Sequence, residues 1–166
     1  QVASLTTSQV AELSTGQVAA LSTNQLAALG TSAVAGLSTE QVGVLSGAHI
    51  AALTTTQVAS LTTAQVGALS TTQAAALEVT DLAGMSTDQI GALKTAQVTA
   101  LSSDQVASLS TAQVALLSAS QVSAIDAADL EAMSSAQVGA LSTAGIAALK
   151  TAQVGALTSS QIGALS

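Results

Sequence analysis

The sequence predicts an all-α fold: a tight solenoid of very short capped helices, with one helix in each eight-residue repeat. Three observations predict it: an octad that repeats without a gap, a helix-capping motif in nearly every copy, and aliphatic residues spaced for one helix face. The repeat runs through residues 1–166 as a single array of twenty octads followed by a six-residue remnant. Self-similarity at a fixed period is typical of repeat architectures.

Each octad follows the pattern Gln-Val-Ala-Ala-Leu-Ser-Thr-x. The second position is Val, Ile or Leu in every copy except Ala74, and the fifth is Leu except at Met85, Ile125 and Met133. The remaining positions hold mostly small or hydroxyl side chains. The first position is Gln, with these departures: Ala33, His49, Asp81, Asp129 and Gly145.

One continuous helix does not fit this period. Eight residues at about 100° each rotate the aliphatic pair by roughly 80° per octad, so the apolar stripe would spiral around the helix. A hydroxyl pair in every octad also weakens a helix interior, because Ser and Thr compete for backbone hydrogen bonds. The sequence therefore predicts a helix that stops and restarts in every octad.

The restart is marked by a capping box, the pattern S/T-x-x-Q. In residues 22–25 the Ser22 hydroxyl can accept the backbone N–H of Gln25, and the Gln25 side chain can reach back to the N–H of Ser22. The same motif recurs at residues 70–73 and 110–113. A box repeated in register through the chain predicts helices of six or seven residues.

The aliphatic spacing agrees with helices. Positions two and five are three residues apart, so they share a helix face, whereas on a strand they would point to opposite faces. The small residues between them are poor strand formers. A β-solenoid is the alternative fold, because Thr and Val favour strands and short repeats are common in that class.

Glycine is frequent at the third position, where it weakens a helix by about 0.5–1 kcal/mol relative to Ala. One interpretation is close backbone approach between neighbouring short helices; the other is drift among small residues, which Thr99 and Glu131 at the same position favour. The third-position glycines are Gly43, Gly67, Gly91, Gly139, Gly155 and Gly163.

A second period lies above the octad. The octads that begin at Ala33, Asp81 and Asp129 are 48 residues, or six octads, apart. Duplication of a six-octad block is one explanation. The other is a superhelix whose turn holds two, three or six octads, so that equivalent octads stack on one side.

The amino-acid composition argues against several classes of function. The net charge of −7 argues against nucleic-acid binding, which requires a basic surface to neutralise phosphates. No apolar run approaches the roughly 18–20 residues of a membrane span, and no signal peptide opens the sequence. The chain begins and ends within its pattern, so we expect a fragment of a longer chain. It contains no Cys, which leaves no disulfide or thiolate chemistry.

No catalytic, cofactor-binding or metal-binding residue is predicted. His49 is the only His, and it lacks the partners that acid–base or metal chemistry requires. We expect it to cap a helix or face solvent. The carboxylates that cluster do not have EF-hand spacing and are predicted to cap helices. They are Glu78 and Asp81 in one group, and Asp126, Asp129 and Glu131 in the other.

The phrase Leu-Ser-Thr-x-Gln-Val-Ala-Ala-Leu resembles the octad arrays of very long secreted bacterial surface proteins, described as adhesins or haemagglutinin-like exoproteins. The resemblance covers the whole chain. It implies an extracellular or cell-surface location and a structural role.

These observations predict a structural repeat segment of an extracellular filament, stalk or adhesin, with a spacer or self-assembling role and no enzymatic activity. The few surface charges and high hydrophobicity favour lateral or head-to-tail self-association. The alternative is a solenoid binding module for a peptide, a glycan, calcium or an ice surface. Such modules concentrate aromatic or charged residues on one face, and this chain has no aromatic residue.

Overall fold

The computed structural model describes residues 4–165, and within that range every regular element is an α-helix. Twenty short helices occupy these residues, one in each octad, and none of the described residues lies in a strand. The all-α prediction is therefore confirmed, and the β-solenoid alternative is wrong.

The helices are, in chain order, α1 Thr7–Ala11, α2 Thr15–Ala19, α3 Thr23–Ala27, α4 Thr31–Ala35, α5 Thr39–Gly43, α6 Gly47–Ala51, α7 Thr55–Ser60, α8 Thr63–Ala68, α9 Thr71–Ala75, α10 Val79–Gly84, α11 Thr87–Gly91, α12 Thr95–Thr99, α13 Ser103–Ala107, α14 Thr111–Ala115, α15 Ala119–Ala124, α16 Ala127–Ala132, α17 Ser135–Gly139, α18 Thr143–Ala147, α19 Thr151–Ala156 and α20 Ser159–Gly163.

Each helix has five or six residues, slightly fewer than the six or seven predicted. The reason is the Leu at the fifth position. In the second octad the N–H of Leu13 donates to the carbonyl of Val10 at 3.1 Å, three residues back. This tighter 3₁₀-type bond closes the last turn. The chain then runs extended into the next N-cap, as at Ser14 with φ −68° and ψ 156°.

The predicted capping boxes are present. The Ser22 hydroxyl accepts the Gln25 N–H at 3.2 Å, and the Ser22 N–H donates to Gln25 Oε1 at 2.8 Å. Both bonds also form at residues 6–9, 38–41 and 70–73. A helix this short is unstable alone in water. Its stability therefore depends on these caps and on packing against other helices.

The core consists of the aliphatic side chains at positions two and five. In the eighth octad Val58 is fully buried and Leu61 is 5% exposed. Ala74, the one departure at position two, is fully buried as well. A fully buried aliphatic side chain contributes roughly 1.5–3 kcal/mol, so the octads that bury both positions gain two strong packing contacts, which offset the conformational entropy lost on folding.

The helices divide into two compact units, one ending at Met85 and the other beginning at Ser86. In the first unit each helix packs against the third helix further along the chain, as α1 does with α4 and α4 with α7. In the second unit the same rule pairs α13 with α16 and α16 with α19. Within each unit this neighbour pattern is that of a helical solenoid.

Close backbone approach does not explain most of the third-position glycines. A Cβ added at Gly43, Gly91, Gly155 or Gly163 would meet nothing within 4 Å. At Gly139 it would lie 2.8 Å from the carbonyl oxygen of Ala164, so there the helices do approach closely. Drift among small residues accounts for the four open positions.

Among the described residues, no helix has the length and apolar character needed to cross a bilayer.

Candidate functional site

The Gln at the first position of the octad is the third residue of each helix, and it is buried through most of the array. Gln57 and Gln73 are each only 2% exposed, although amide side chains normally lie at the surface. A buried amide must find partners for both its oxygen and its nitrogen, because an unmade hydrogen bond there costs about 1–3 kcal/mol. These partners show which helices each Gln side chain holds together.

The oxygen of the side chain serves its own helix. Gln57 Oε1 accepts the backbone N–H of Thr54, the N-cap residue, at 2.8 Å. The Thr54 hydroxyl in turn accepts the Gln57 N–H at 3.3 Å. The first four N–H groups of a helix lack partners within it, and this exchange satisfies one of them together with the cap residue's own N–H.

The nitrogen of the same side chain serves a helix one superhelical turn earlier. Gln57 Nε2 lies 3.2 Å from the carbonyl oxygen of Leu26, 3.1 Å from that of Ala27 and 2.8 Å from that of Leu29. These carbonyls lie at the end of α3 and in the connection after it, where helix carbonyls run out of helical N–H partners; that of Leu26 also accepts the backbone N–H of Leu29. One amide therefore caps the end of a distant helix.

We call this arrangement, in which Oε1 caps the amide's own helix and Nε2 caps the helix a turn earlier, the glutamine bridge. In the unit ending at Met85 it is formed by Gln41, Gln57, Gln65 and Gln73. In the unit beginning at Ser86 the same bonds are made by Gln121, Gln137, Gln153 and Gln161. The Nε2 acceptors lie 28, 30 and 31 residues back in both units.

The bridge also measures the superhelical turn. An offset of 28 to 31 residues places the turn between three and four octads. Of the predicted turns of two, three and six octads, three lies nearest this spacing, and it agrees with the packing of each helix on the third helix further along within each unit.

Sequence reasoning found half of the bridge. The capping role of Oε1 follows from the local S/T-x-x-Q pattern, but the donor role of Nε2 was missed because its acceptors lie a full turn away. One signal could have revealed it. A capping box accepts Glu as readily as Gln, yet no octad has Glu at the first position, and Gln fills it in most copies. That preference favours a side chain that can donate as well as accept.

His49 replaces Gln and reproduces the bridge with a different side chain. Its Nδ1 lies 3.2 Å from the N–H of Ser46, and its Nε2 lies 2.8 Å from the carbonyl oxygen of Leu21, 28 residues back. The two contacts define the neutral tautomer that accepts at Nδ1 and donates at Nε2. The prediction that His49 caps a helix is confirmed.

The two Asp replacements are buried but make a different contact. Asp81 accepts the Thr55 hydroxyl at 2.9 Å and the backbone N–H of Glu78 at 3.1 Å. Asp129 accepts the Ser103 hydroxyl at 2.6 Å. In each pair the hydroxyl belongs to the first residue of the helix three octads earlier. A carboxylate has no hydrogen to donate, so a hydroxyl donor takes the place of the carbonyl acceptors.

The other acidic residues lie at the surface. Glu78 and Asp126 occupy the N-cap positions of α10 and α16, and Glu131 is exposed within α16. Asp126 occupies the predicted N-cap position, but its side chain makes no capping hydrogen bond. Across residues 4–165 no three His, Asp or Glu side chains come together in a group that could hold a metal ion.

The ALTTAQ repeat model, a family model of tandem repeats, matches the chain at residues 18–55, 50–79, 74–111 and 130–166. The matched segments cover well over half of the sequence and include octads that carry the glutamine bridge. No curated protein and no solved structure matches the chain. On the strength of these four matches, the chain belongs to the ALTTAQ repeat family.

Proposed function

We propose that this chain is a structural spacer, a segment of an extracellular filament, stalk or adhesin whose role is to hold a fixed repeating geometry. The observation that carries the proposal is the glutamine bridge. It commits the one polar side chain kept at the first position to joining successive turns, and the two aliphatic positions of each octad to the core.

The bridge suits a structural spacer because it links local and distant structure. The bonds of Gln65 run both to its own N-cap residue, Thr62, and to the carbonyl of Leu37. Opening one turn therefore exposes unsatisfied groups on two helices at once. In a repeat array stability is a sum of unit and neighbour contributions, so a strong neighbour contact favours length and cooperativity.

A spacer role involves no catalysis, and the structural contacts of the one His and of the two buried carboxylates support this. Both ring nitrogens of His49 contact backbone groups. The buried carboxylates of Asp81 and Asp129 accept hydroxyl hydrogens from Thr55 and Ser103. A general base or nucleophile requires a free, aimed side chain, and these are held by structural partners.

The role can be tested by joining two copies of the chain with two added Thr residues, which complete the last octad and keep the register. Negative-stain electron microscopy of single and tandem chains would then compare their lengths under conditions that prevent association. A spacer predicts that length doubles at constant width. A tandem chain of unchanged length would contradict the proposal, as would saturable, stoichiometric binding of a glycan, a peptide or Ca²⁺ to one face.

The proposed location needs a separate test. An antibody raised against the 166-residue chain should label intact cells of the source organism as strongly as permeabilised cells. Labelling that requires permeabilisation would place the chain inside the cell. The spacer role would survive that result, and the extracellular assignment would not.

A further inference from the structure

Two octads bury a carboxylate at the position where most others bury an amide. Asp81 is 1% exposed and Asp129 is 7% exposed. Their hydrogen-bond donors are all neutral: Asp81 accepts from the Thr55 hydroxyl and the Glu78 N–H, and Asp129 accepts from the Ser103 hydroxyl. Burial of an ionised carboxylate without a cationic partner is strongly unfavourable, so each site requires a compensating positive charge.

The cationic side chains of the protein do not supply this charge. Lys94 and Lys150 are the only Lys or Arg residues, and both are exposed N-cap residues. Both ring nitrogens of His49 contact backbone groups elsewhere. Within residues 4–165 no cationic side chain contacts Asp81 or Asp129.

The same two places each hold a second group that needs a partner. In the bridging octads Nε2 donates to the carbonyl 28 residues earlier, and the equivalent carbonyls for Asp81 and Asp129 are those of Leu53 and Leu101. Leu53 is 6% exposed and Leu101 is 5% exposed. No donor among the described residues reaches either carbonyl oxygen. An acceptor left open at a buried residue is rare, and it indicates a bound water or ion.

The carboxylate and the open carbonyl lie against the same segment. Thr55, whose hydroxyl is 2.9 Å from Asp81 Oδ1, follows Leu53 by two residues, and Ser103 follows Leu101 in the same way. An Asp side chain is one methylene shorter than Gln, so it leaves free the space that the amide nitrogen takes in a glutamine bridge. A carboxylate, a hydroxyl oxygen and a carbonyl oxygen border that space, and all three can replace water around a hard cation.

We infer that Asp81 and Asp129 each hold one alkali-metal cation, Na⁺ or K⁺, in the place of the amide NH₂ group. The cation neutralises the buried carboxylate and gives the carbonyl of Leu53 or Leu101 the positive partner that Nε2 provides elsewhere. A single charge balances a single carboxylate, and no group of three His, Asp or Glu side chains among the described residues could hold a metal of higher charge. The inference goes beyond the spacer role and does not depend on it.

Urea unfolding followed by circular dichroism tests the inference. NaCl or KCl is titrated against N-methyl-D-glucamine chloride at constant ionic strength, because this organic cation is too large to enter the site. Each site multiplies the ratio of folded to unfolded chain by 1 + [L]/Kd, so two sites give up to the second power of the ion concentration. A tenfold rise in alkali ion above its Kd should therefore lower the unfolding constant of the unmodified chain by up to about 100-fold.

Variants of the two carboxylates assign the effect to these sites. D81Q/D129Q supplies the amide donor and removes the charge, so its unfolding constant should not depend on which cation is present. D81N/D129N removes the charge with little change in size, and it decides the matter if D81Q/D129Q does not fold. The matched control is E40Q/D88N, which removes two exposed carboxylates that are also 48 residues apart. This control should respond to Na⁺ and K⁺ as the unmodified chain does.

Two results would overturn the inference. An unmodified chain that is equally stable in the alkali and organic cations would show that the carboxylates are buried without an ion. An alkali-ion response that persists in D81Q/D129Q, or in D81N/D129N, would place the ion elsewhere. Neither result affects the tandem-chain length measurement, so failure of the cation sites is distinguishable from failure of the spacer role.

Discussion

The side-chain amide of Gln57 donates to the carbonyl oxygen of Leu29 at 2.8 Å, across 28 residues of sequence and in a buried setting. The same side chain accepts the N–H of Thr54 only three residues away. One residue thus fixes both where a helix begins and which turn it lies on. Local and long-range order are coupled through it, and several measurable consequences follow.

Substitution of Gln57 by Glu should destabilise the chain by about 2–5 kcal/mol. The capping oxygen remains, but the donor is lost and a charge is buried beside the carbonyls of Leu26 and Leu29. Urea unfolding followed by circular dichroism measures the change. Gln17→Glu provides the matched control, because Gln17 is exposed and caps only its own helix. It should cost no more than about 0.5 kcal/mol. Equal costs at the two positions would contradict the bridge.

A bridge can also be added where the array lacks one. Gly145 occupies a first position, and a Cβ there would meet side-chain atoms of Val122 at 3.1 Å and Ser142 at 3.3 Å, a crowding that Gln and Met variants share. By the offsets of the other bridges, a Gln would aim Nε2 at the carbonyl of Leu117. Gly145→Gln should therefore be about 1 kcal/mol more stable than Gly145→Met, which gains the same helix propensity without a donor. Thermal unfolding of the two variants, compared at one concentration, checks this; a more stable Met variant would rule out the added bond.

The third-position glycines provide a matched pair. Gly43→Ala places its methyl in open space and should stabilise the chain by about 0.5–1 kcal/mol through helix propensity. Gly139→Ala pushes its methyl against the carbonyl oxygen of Ala164, 2.8 Å away, and should destabilise the last turn by about 1–3 kcal/mol. Urea midpoints should shift in opposite directions. A shift in the same direction at both sites would show that helix α20 does not pack as described.

Acid should lower the free energy of unfolding of the chain, in part through protonation of the Glu40 carboxyl. Hydrogen bonds from its own backbone N–H, and then from the Ser38 and Thr39 hydroxyls, hold the pKa of the Glu40 carboxyl below its usual value. A lowered folded-state pKa contributes stability above the unfolded-state pKa, and that contribution is lost as the pH falls through the folded-state value. Between neutral and acidic pH, the free energy of unfolding of the Glu40→Gln variant should therefore fall by less than that of the unmodified chain. Because the side chain is exposed, the difference is small; identical pH profiles in urea titrations would contradict it.

Much of this fold could be predicted because it is encoded within one octad. Ser22 and Gln25 are three residues apart, so their capping box follows from sequence spacing alone. Burial of Val58 and Leu61 follows in the same way, from a spacing that places both on one helix face. A helix of five or six residues was nearly predicted, since only the tight closing bond of the fifth-position Leu shortens it.

The rest could not be predicted because it depends on packing between octads. Whether Gln41 meets a carbonyl three or four octads back depends on the rise and rotation of stacked helices, which no local pattern specifies. The open surroundings of Gly43 and the close approach at Gly139 differ for the same reason, although the two residues hold the same place in the octad. Likewise, the pairing of Asp81 with Thr55 joins two positions that nothing in the sequence links.

The central claim is that buried first-position amides join successive turns within each unit, and hydrogen exchange of the Gln side-chain NH₂ groups tests it most directly. Nuclear magnetic resonance would follow these groups in the unmodified chain. The account predicts strong protection of the side-chain amides of Gln57, Gln65 and Gln73, and rapid exchange at Gln9 and Gln17 in the same spectra. Equally rapid exchange at all five would show that the Nε2 bonds do not form, and would contradict the account.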